Sequence, residues 1–117
     1  MEKPHDLGKR TKQYALAVIK LCATLPRTPA AQIIARQLLR SGTGVGANFR
    51  EALRSRSKPE YAAKMNVGLM ELEESLYWLE LLEESNVRNG TDVEYLKAES
   101  SELSAIFVTM IKRSRGL

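Results

Sequence analysis

Three glycines, at positions 42, 44 and 46, interrupt a stretch that otherwise has the residue spacing of a helix. Each glycine in a helix interior costs about 1 kcal/mol relative to alanine, so the stretch needs a compensating contact. Close packing against a neighbouring helix supplies one, because Gly42 and Gly46 lie a turn apart on one face; a local kink is the competing explanation. We predict a single helix through the glycines, packed along a seam of Ala31, Ile34, Leu38, Ser41, Val45, Asn48 and Ala52.

The chain as a whole divides into four segments with helical spacing, separated by short breaks, and the glycines lie in the second. No stretch keeps the period-two alternation of a β-strand, which predicts an all-α fold. The first segment is residues 7–24, and the second opens with Thr28 as its N-cap and Pro29 at its first helical position. The third opens with a capping box of Ser57 and Glu60 and ends near Asn89-Gly90, and the fourth opens with a second capping box, in which Thr91 is the N-cap and Glu94 its partner. Since short breaks make successive helices antiparallel neighbours, we expect an up-down-up-down four-helix bundle forming one domain over residues 1–117.

The third segment is apolar on more than one side. One stripe suits the core, and the second stripe exceeds what a single antiparallel bundle needs, which predicts a homo-oligomer. Tyr77 and Trp78 lie on this acidic segment, so we expect core or interface anchors rather than platforms for base stacking. The core stripe is Ala62, Met65, Leu69, Leu72, Leu76 and Leu79, and the second stripe is Ala63, Val67, Met70, Glu74, Tyr77 and Leu81.

Charge is distributed unevenly along the chain, whose formal net charge is +4. Residues 65–102 hold ten acidic and two basic side chains, whereas the remaining residues hold 16 basic and four acidic ones. This asymmetry favours pairing between acidic and basic faces, within or between subunits, or a basic surface that is free for nucleic acid. Ordinary solvated faces are the alternative.

Composition also indicates a cellular compartment. Cys22 is the only cysteine, so the chain has no intramolecular disulfide framework, as is usual in a reducing compartment. No apolar run reaches the roughly 20 residues that a membrane-spanning helix needs, and the N-terminus lacks the apolar region of a signal peptide. We therefore expect a cytoplasmic protein that does not enter membranes.

Two catalytic interpretations suggest themselves, and the remaining residues support neither. A phosphate-binding loop needs a preceding strand and a closing Gly-Lys-Ser/Thr, but Gly46 is followed by Ala47 and Asn48. A di-iron bundle needs Glu-x-x-His on two helices, but His5 is the only histidine. The same shortage removes nucleophilic catalysis with a histidine base. We expect no enzyme activity, no cofactor and no metal.

Two polar residues fall within apolar stripes. Asn48 lies on the seam of the second segment, and Glu74 interrupts the second stripe of the third. An unmet buried polar group costs about 1–3 kcal/mol, so both residues need partners. We predict a polar network between these two segments, the alternative being that its charged members point to solvent. Its members are Arg40, Asn48, Glu51, Glu71 and Glu74.

Basic residues cluster at two places that an up-down bundle brings to the same end. Cations at helix C-termini complement the helix dipole, which is the structural alternative. Together the clusters exceed what capping needs and suit a phosphate backbone. No base-reading motif is present, so sequence-specific readout is not supported. The predicted nucleic-acid-binding residues are Arg50, Arg54, Arg56, Lys58, Lys112, Arg113 and Arg115.

Several stretches of the sequence together carry a family resemblance. They are Gln37-Leu38-Leu39-Arg40-Ser41-Gly42-Thr43-Gly44-Val45-Gly46-Ala47-Asn48, residues 71–82, residues 7–12, and Glu51-Ala52, Ser55-Arg56-Ser57 and Lys64. With these residues the chain resembles the four-helix-bundle proteins encoded in intervening sequences of bacterial 23S ribosomal RNA genes. The resemblance covers nearly the whole chain, although that family typically has Ser where this chain has Gly44.

The resemblance implies a four-helix bundle that assembles as a ring, often a pentamer. A similar fold serves as the accessory variability determinant of diversity-generating retroelements, which associates with a reverse transcriptase and nucleic acid. We therefore expect a non-enzymatic, homo-oligomeric bundle that binds nucleic acid through its basic surface, structured rRNA-related RNA rather than DNA. The alternative is an interaction or scaffold protein whose charge asymmetry only drives self-assembly.

Overall fold

Four helices form the part of the chain that the computed structural model describes, residues 4–116. They are α1 (Pro4–Ala23), α2 (Pro29–Leu53), α3 (Lys58–Glu84) and α4 (Thr91–Ser114). No strand occurs within these residues, so the predicted all-α fold is confirmed. Apolar side chains from all four helices meet in one core, whose largest fully buried members include Tyr14, Phe49 and Phe107.

Neighbouring helices run in opposite directions. As residue numbers rise along one helix, the numbers of its contact partners fall along the next. Between α1 and α2, Thr11 contacts Gly46 and Val18 contacts Gly42. Between α2 and α3, Arg40 contacts Glu74 and Glu51 contacts Lys64. Between α3 and α4, Gly68 contacts Phe107 and Glu83 contacts Lys97. Helix α4 closes the bundle against α1, where Tyr14 contacts Ser100.

The starts of α2 and α3 follow from local chemistry. The Thr28 hydroxyl accepts the N–H of Ala31 at 3.3 Å, and Pro29 occupies the first helical position, as predicted. The Ser57 hydroxyl likewise accepts the N–H of Glu60 at 3.1 Å. The Glu60 carboxylate accepts the N–H of Arg56 rather than that of Ser57, so only half of the predicted capping box forms.

The connection between α3 and α4 corrects two predictions. Helix α3 ends at Glu84, about five residues before the expected stop, because Asn86 adopts a left-handed conformation with φ of 61°. The N-cap of α4 is Gly90, which has no side chain to accept a hydrogen bond, and Thr91 is the first helical residue. The prediction that Thr91 caps this helix is therefore wrong.

The predicted glycine contacts are present in α2, which is helical through all three positions. A Cβ placed on Gly42 would lie 2.8 Å from a methyl carbon of Val18, and one placed on Gly46 would lie 3.1 Å from the Thr11 hydroxyl. Both glycines therefore let the backbone of α2 approach α1. Gly44 faces the other way, toward the carboxylate of Glu71 on α3.

The buried face of α2 is wider than the predicted seam and partly shifted from it. Phe49 is fully buried and its ring centroid lies 6.1 Å from that of Phe107, whereas Asn48 is only half-buried. Ala35 is similarly more buried than Ile34. On α3, Gly68 and Ser75 are buried where Leu69 and Leu76 were expected.

A layer of hydroxyl groups crosses the middle of the core, with one residue from each helix. The Tyr14 hydroxyl lies 2.6 Å from that of Ser100, and the Ser41 hydroxyl lies 2.7 Å from that of Ser75. All four residues are fully buried. Burial raises the pKa of Tyr14, and its hydrogen bond to Ser100 opposes that rise.

Candidate nucleic-acid interface

The first predicted cluster lies at and after the end of α2. Arg50 is in the last turn of α2, Arg54 is its C-cap, and Arg56 lies in the connection to α3. Lys58 is the first residue of α3. All four side chains are exposed, so none is committed to the core.

The second cluster lies at the end of α4, at the same end of the bundle. Lys112 and Arg113 occupy its last turn, Arg115 is its C-cap, and all three are exposed. Lys58 and Arg115 line a shared groove of about 680 Å³ whose apolar wall is formed by Pro59 and Ala62. The structure thus brings one cation from each cluster together. We call the seven predicted residues of these two clusters the basic pole.

Carboxylates neutralise little of the basic pole. Glu51, the acid nearest in sequence, is paired with Lys64 at 2.7 Å, and that hydrogen bond raises the pKa of Lys64. Glu60 accepts a backbone N–H, as described above. Arg113 aside, six side chains of the pole form no ion pair within residues 4–116. They are Arg50, Arg54, Arg56, Lys58, Lys112 and Arg115.

The predicted polar network is divided between two places. Arg40 binds both Glu71, at 3.5 Å, and Glu74 across the α2–α3 seam. Burial raises the pKa of Glu71, although the nearby Arg40 opposes the rise. Asn48 donates instead to the carbonyl of Gly44 in its own helix, at 2.8 Å. Glu51 pairs with Lys64, so the structure brings together three of the five residues, and Asn48 and Glu51 lie apart from them.

A more deeply buried ion pair was missed in the sequence. Two nitrogens of the Arg10 guanidinium donate to the two carboxylate oxygens of Glu99, at 2.7 and 2.8 Å, and Glu102 accepts a further contact at 2.9 Å. The Glu99 side chain is only 10% exposed. Glu99 lies three residues after Leu96 and four before Leu103, both of which are buried. This helical spacing in the sequence indicates that Glu99 faces the core.

The outward face of α3 is apolar and uncovered. Val67, Met70 and Tyr77 of the predicted second stripe are 42%, 63% and 53% exposed, respectively. Trp78 is half-buried against the core, with its ring 5.1 Å from that of Tyr77 in an edge-on arrangement. Within the described residues, the buried indole nitrogen of Trp78 has no hydrogen-bond partner. Glu74, the polar member of the stripe, is held by Arg40. We call Val67, Met70, Glu74 and Tyr77 the outer stripe.

Residues 4–116 lack several other kinds of site. No group of three or more His, Cys, Asp or Glu side chains there is arranged to hold a metal ion. The four described helices include none that is long and apolar enough to cross a membrane. Cys22 is buried, and burial raises the pKa of its thiol to about 11, which keeps it protonated and weakly nucleophilic.

Comparison with known proteins yields a family and a solved structure. Among proteins with curated descriptions, none matches the chain. A crystal structure of a protein of unknown function from the S23 ribosomal protein family of Bacteroides thetaiotaomicron is similar over 95% of this chain and 99% of its own, with 30% identity and a TM-score of 0.87. The family described as 23S rRNA-intervening sequence protein matches residues 4–109. The chain therefore belongs to the 23S rRNA-intervening sequence protein family.

Proposed function

We propose that the protein is a non-enzymatic, cytoplasmic, homo-oligomeric bundle that binds structured RNA through the basic pole. The observation that carries the proposal is the set of exposed cations gathered at one end of the bundle. Six of the seven have no carboxylate partner within the described residues. Unpaired Lys and Arg side chains bind phosphate oxygens and release counterions, which supplies affinity without reading sequence.

The family and the similar structure indicate which RNA to test first. The family description refers to an intervening sequence of 23S rRNA, and the Bacteroides protein is described as a member of a ribosomal protein family. Fragments of 23S rRNA are therefore the first ligands to examine. A protein partner such as a reverse transcriptase, which the sequence resemblance implies, stays a separate prediction.

Salt-dependent binding tests the basic pole. Replacing both Arg54 and Arg56 with Ala should weaken binding to all RNA sequences alike and reduce the log–log salt slope by about 1.4–1.8, the loss expected from two phosphate contacts on single-stranded or duplex RNA. Arg27→Ala combined with Arg36→Ala is the matched control, because both side chains are exposed and lie toward the opposite end of the bundle. Fluorescence anisotropy from low to physiological salt gives both quantities.

Two outcomes would contradict the RNA proposal. Equal losses in the control variant would mean that overall charge, and not the pole, governs binding. Absence of any salt-sensitive RNA binding by the wild-type protein at low ionic strength would leave the scaffold function as the better explanation. In that function the basic and acidic regions serve only contacts between copies.

The outer stripe supports the homo-oligomer in this proposal. Large exposed apolar patches on soluble proteins are most often interaction surfaces, and here the one charged member is already neutralised by Arg40. Met70→Glu should dissociate the assembly, since it places a charge at the most exposed apolar position of the stripe. Ser101→Glu, on the exposed side of α4, is the control. Light scattering of the wild-type protein at one chain mass, 13.1 kDa, would overturn self-association.

A further inference from the structure

The ion pairs of the molecule are distributed unevenly between its seams. Within the described residues, every ion pair involves a side chain of α3 or α4 or of the turn between them. None of these ion pairs joins α1 to α2. The seam between these two helices nevertheless carries cations, because Lys12 and Arg50 line it, are exposed, and pair with no carboxylate in the described part of the chain.

A groove follows this seam on the outside of the bundle. It has a volume of about 210 Å³, and its cationic rims are Lys12 on α1 and Arg50 on α2. Its floor is made of small residues, among them Gly8, Ala15 and Gly46. Since no long side chain fills the floor, a ligand can lie between the two rims.

The hydroxyl groups of the groove are already engaged. Thr11 donates to the carbonyl of Leu7 at 2.8 Å, and Thr43 donates to that of Leu39 at 2.5 Å, each within its own helix. The groups left to meet a ligand are therefore the two cations. This is the chemistry of an anionic backbone contact rather than of a site that recognises a neutral polar molecule.

We propose that the α1–α2 groove extends the phosphate-binding surface of the basic pole, and that the ligand of this combined surface is duplex RNA. The inference rests on the proposed RNA-binding function. Arg50 belongs to both surfaces, and it precedes Arg54 by one helical turn, about 6 Å along α2. Lys9 lies one turn from Lys12 on the exposed side of α1 and lengthens the row.

The aromatic residues decide between duplex and single strand. Proteins that hold single strands without sequence preference stack bases on exposed aromatic rings. Among the described residues, no aromatic side chain lines the α1–α2 groove or the groove between Lys58 and Arg115. The two most exposed tyrosines of the described residues, Tyr77 and Tyr95, lie in the acidic stretch of residues 65–102. Contacts limited to phosphates suit an A-form duplex, which proteins recognise by shape and backbone.

A double variant of α1 tests the extension. Lys9→Ala with Lys12→Ala should weaken binding to a 20-base-pair RNA duplex about tenfold, and it should reduce the salt slope by about 1–2 through the loss of two phosphate contacts. Lys20→Ala with Arg36→Ala is the control, since it removes two exposed cations of the same helices outside the groove. We expect the control to bind within twofold of wild type, and circular dichroism should show unchanged helix content in both.

Each alternative outcome is distinguishable. If Arg54→Ala with Arg56→Ala weakens binding and the Lys9/Lys12 variant does not, the groove is not part of the surface and the proposed function stands. If a single strand of the same phosphate number binds as tightly as the duplex, the duplex assignment is wrong. If the wild-type protein binds neither RNA, the proposed function and this inference fail together.

Discussion

Helix α1 packs against its two neighbours in different ways. Toward α2 it presents Val18 and Thr11 to two glycines, and the backbones approach closely without any ion pair in the described residues. Toward α4 it presents Arg10, which binds a nearly buried carboxylate, and Tyr14, which bonds to a buried hydroxyl. Helix α1 is thus held to α2 by close packing, and to α4 by an ion pair and a hydrogen bond. We call the first seam closed by shape and the second closed by charge.

The difference determines which charges remain available. A seam closed by shape uses no cations, so Lys9 and Lys12 beside it stay unpaired. A seam held by ion pairs engages its cations, as Glu99 and Glu102 engage Arg10. The uneven charge along the sequence therefore has a structural cause, because within the described residues one seam of α1 uses ion pairs and the other does not. The cations beside the seam without ion pairs remain exposed.

The largest effect is expected from Arg10→Met. This variant leaves Glu99 almost buried without its partner, which costs about 3 kcal/mol of unfolding free energy, the lower end for a broken buried pair because Arg10 is 22% exposed. Lys64→Met is the control: it breaks a more exposed pair and should lower the free energy of unfolding much less than Arg10→Met. Chemical denaturation measures both, and equal costs would show that the α1–α4 seam does not depend on charge.

A smaller effect is expected at the glycines. In Gly42→Ala the new methyl group would lie 2.8 and 2.9 Å from the two methyl carbons of Val18, a stiff side chain, so overpacking should outweigh the gain in helix propensity by about 1–2 kcal/mol. In Gly44→Ala the methyl group meets only the carboxylate end of the flexible Glu71 side chain, whose contact with Arg40 is long at 3.5 Å, so that end can turn aside and stability should stay equal or rise by up to about 1 kcal/mol. Thermal unfolding compares the stability of the two variants. If the Gly42 variant is as stable as the Gly44 variant, the close α1–α2 packing does not depend on the absence of a side chain at position 42.

The smallest effect is expected at Asp92, beside the α1–α4 seam. The Arg88 hydrogen bond, aided by the Val93 N–H, lowers the pKa of Asp92 from its ordinary value of 3.8. Stabilisation from this carboxylate is therefore present above about pH 3.8 and is lost as the pH falls through its lowered folded value. Asp92→Asn should cost below about 1 kcal/mol at neutral pH, because the pair is partly solvated.

The pH dependence of unfolding distinguishes this effect from a simple loss of packing. The wild-type protein should lose stability more steeply than the Asp92 variant as the pH falls below about 3.8. Glu73→Gln is a suitable control, since Glu73 is exposed and has no ion pair in the described residues. Parallel curves for the wild-type protein and the Asp92 variant would contradict the role of the Arg88 contact.

Features fixed by local chemistry could be predicted from the sequence. Thr28 and Pro29 mark the start of α2 because a hydroxyl acceptor and a residue without an N–H suit the first turn of any helix. The glycine face was predictable for a similar reason, since only a close neighbour offsets the propensity cost at Gly42 and Gly46. The end of α3 was not, because Asn86, Asn89 and Gly90 all suit a helix stop and the first of them ends it.

Features that depend on contacts between helices could not be predicted from the sequence. Phe49 is buried, and Asn48 is not fully so, because Phe107 of α4 packs across the core at that level. Which cations are paired depends in the same way on which carboxylate an adjacent helix presents. The residues of the basic pole could be named from the sequence, whereas the groove beside Lys12 required knowledge of how α1 and α2 pack. RNA binding by either surface stays a prediction.

The hydroxyl layer in the core bears on the register of the helices. A helix that slid by one turn, about 5.4 Å, would carry its hydroxyl away from its partner. Ser100 and Ser41 would keep their bonds to the carbonyls of Leu96 and Leu38 in their own helices, so the groups left without a partner would be the hydroxyls of Tyr14 and Ser75. Each orphaned group costs about 1–3 kcal/mol, a penalty that a purely aliphatic layer would not impose. Tyr14, Ser41, Ser75 and Ser100 thereby select one alignment of the four helices. Every copy of the chain then presents the same outer surface, which symmetric assembly from identical contacts requires.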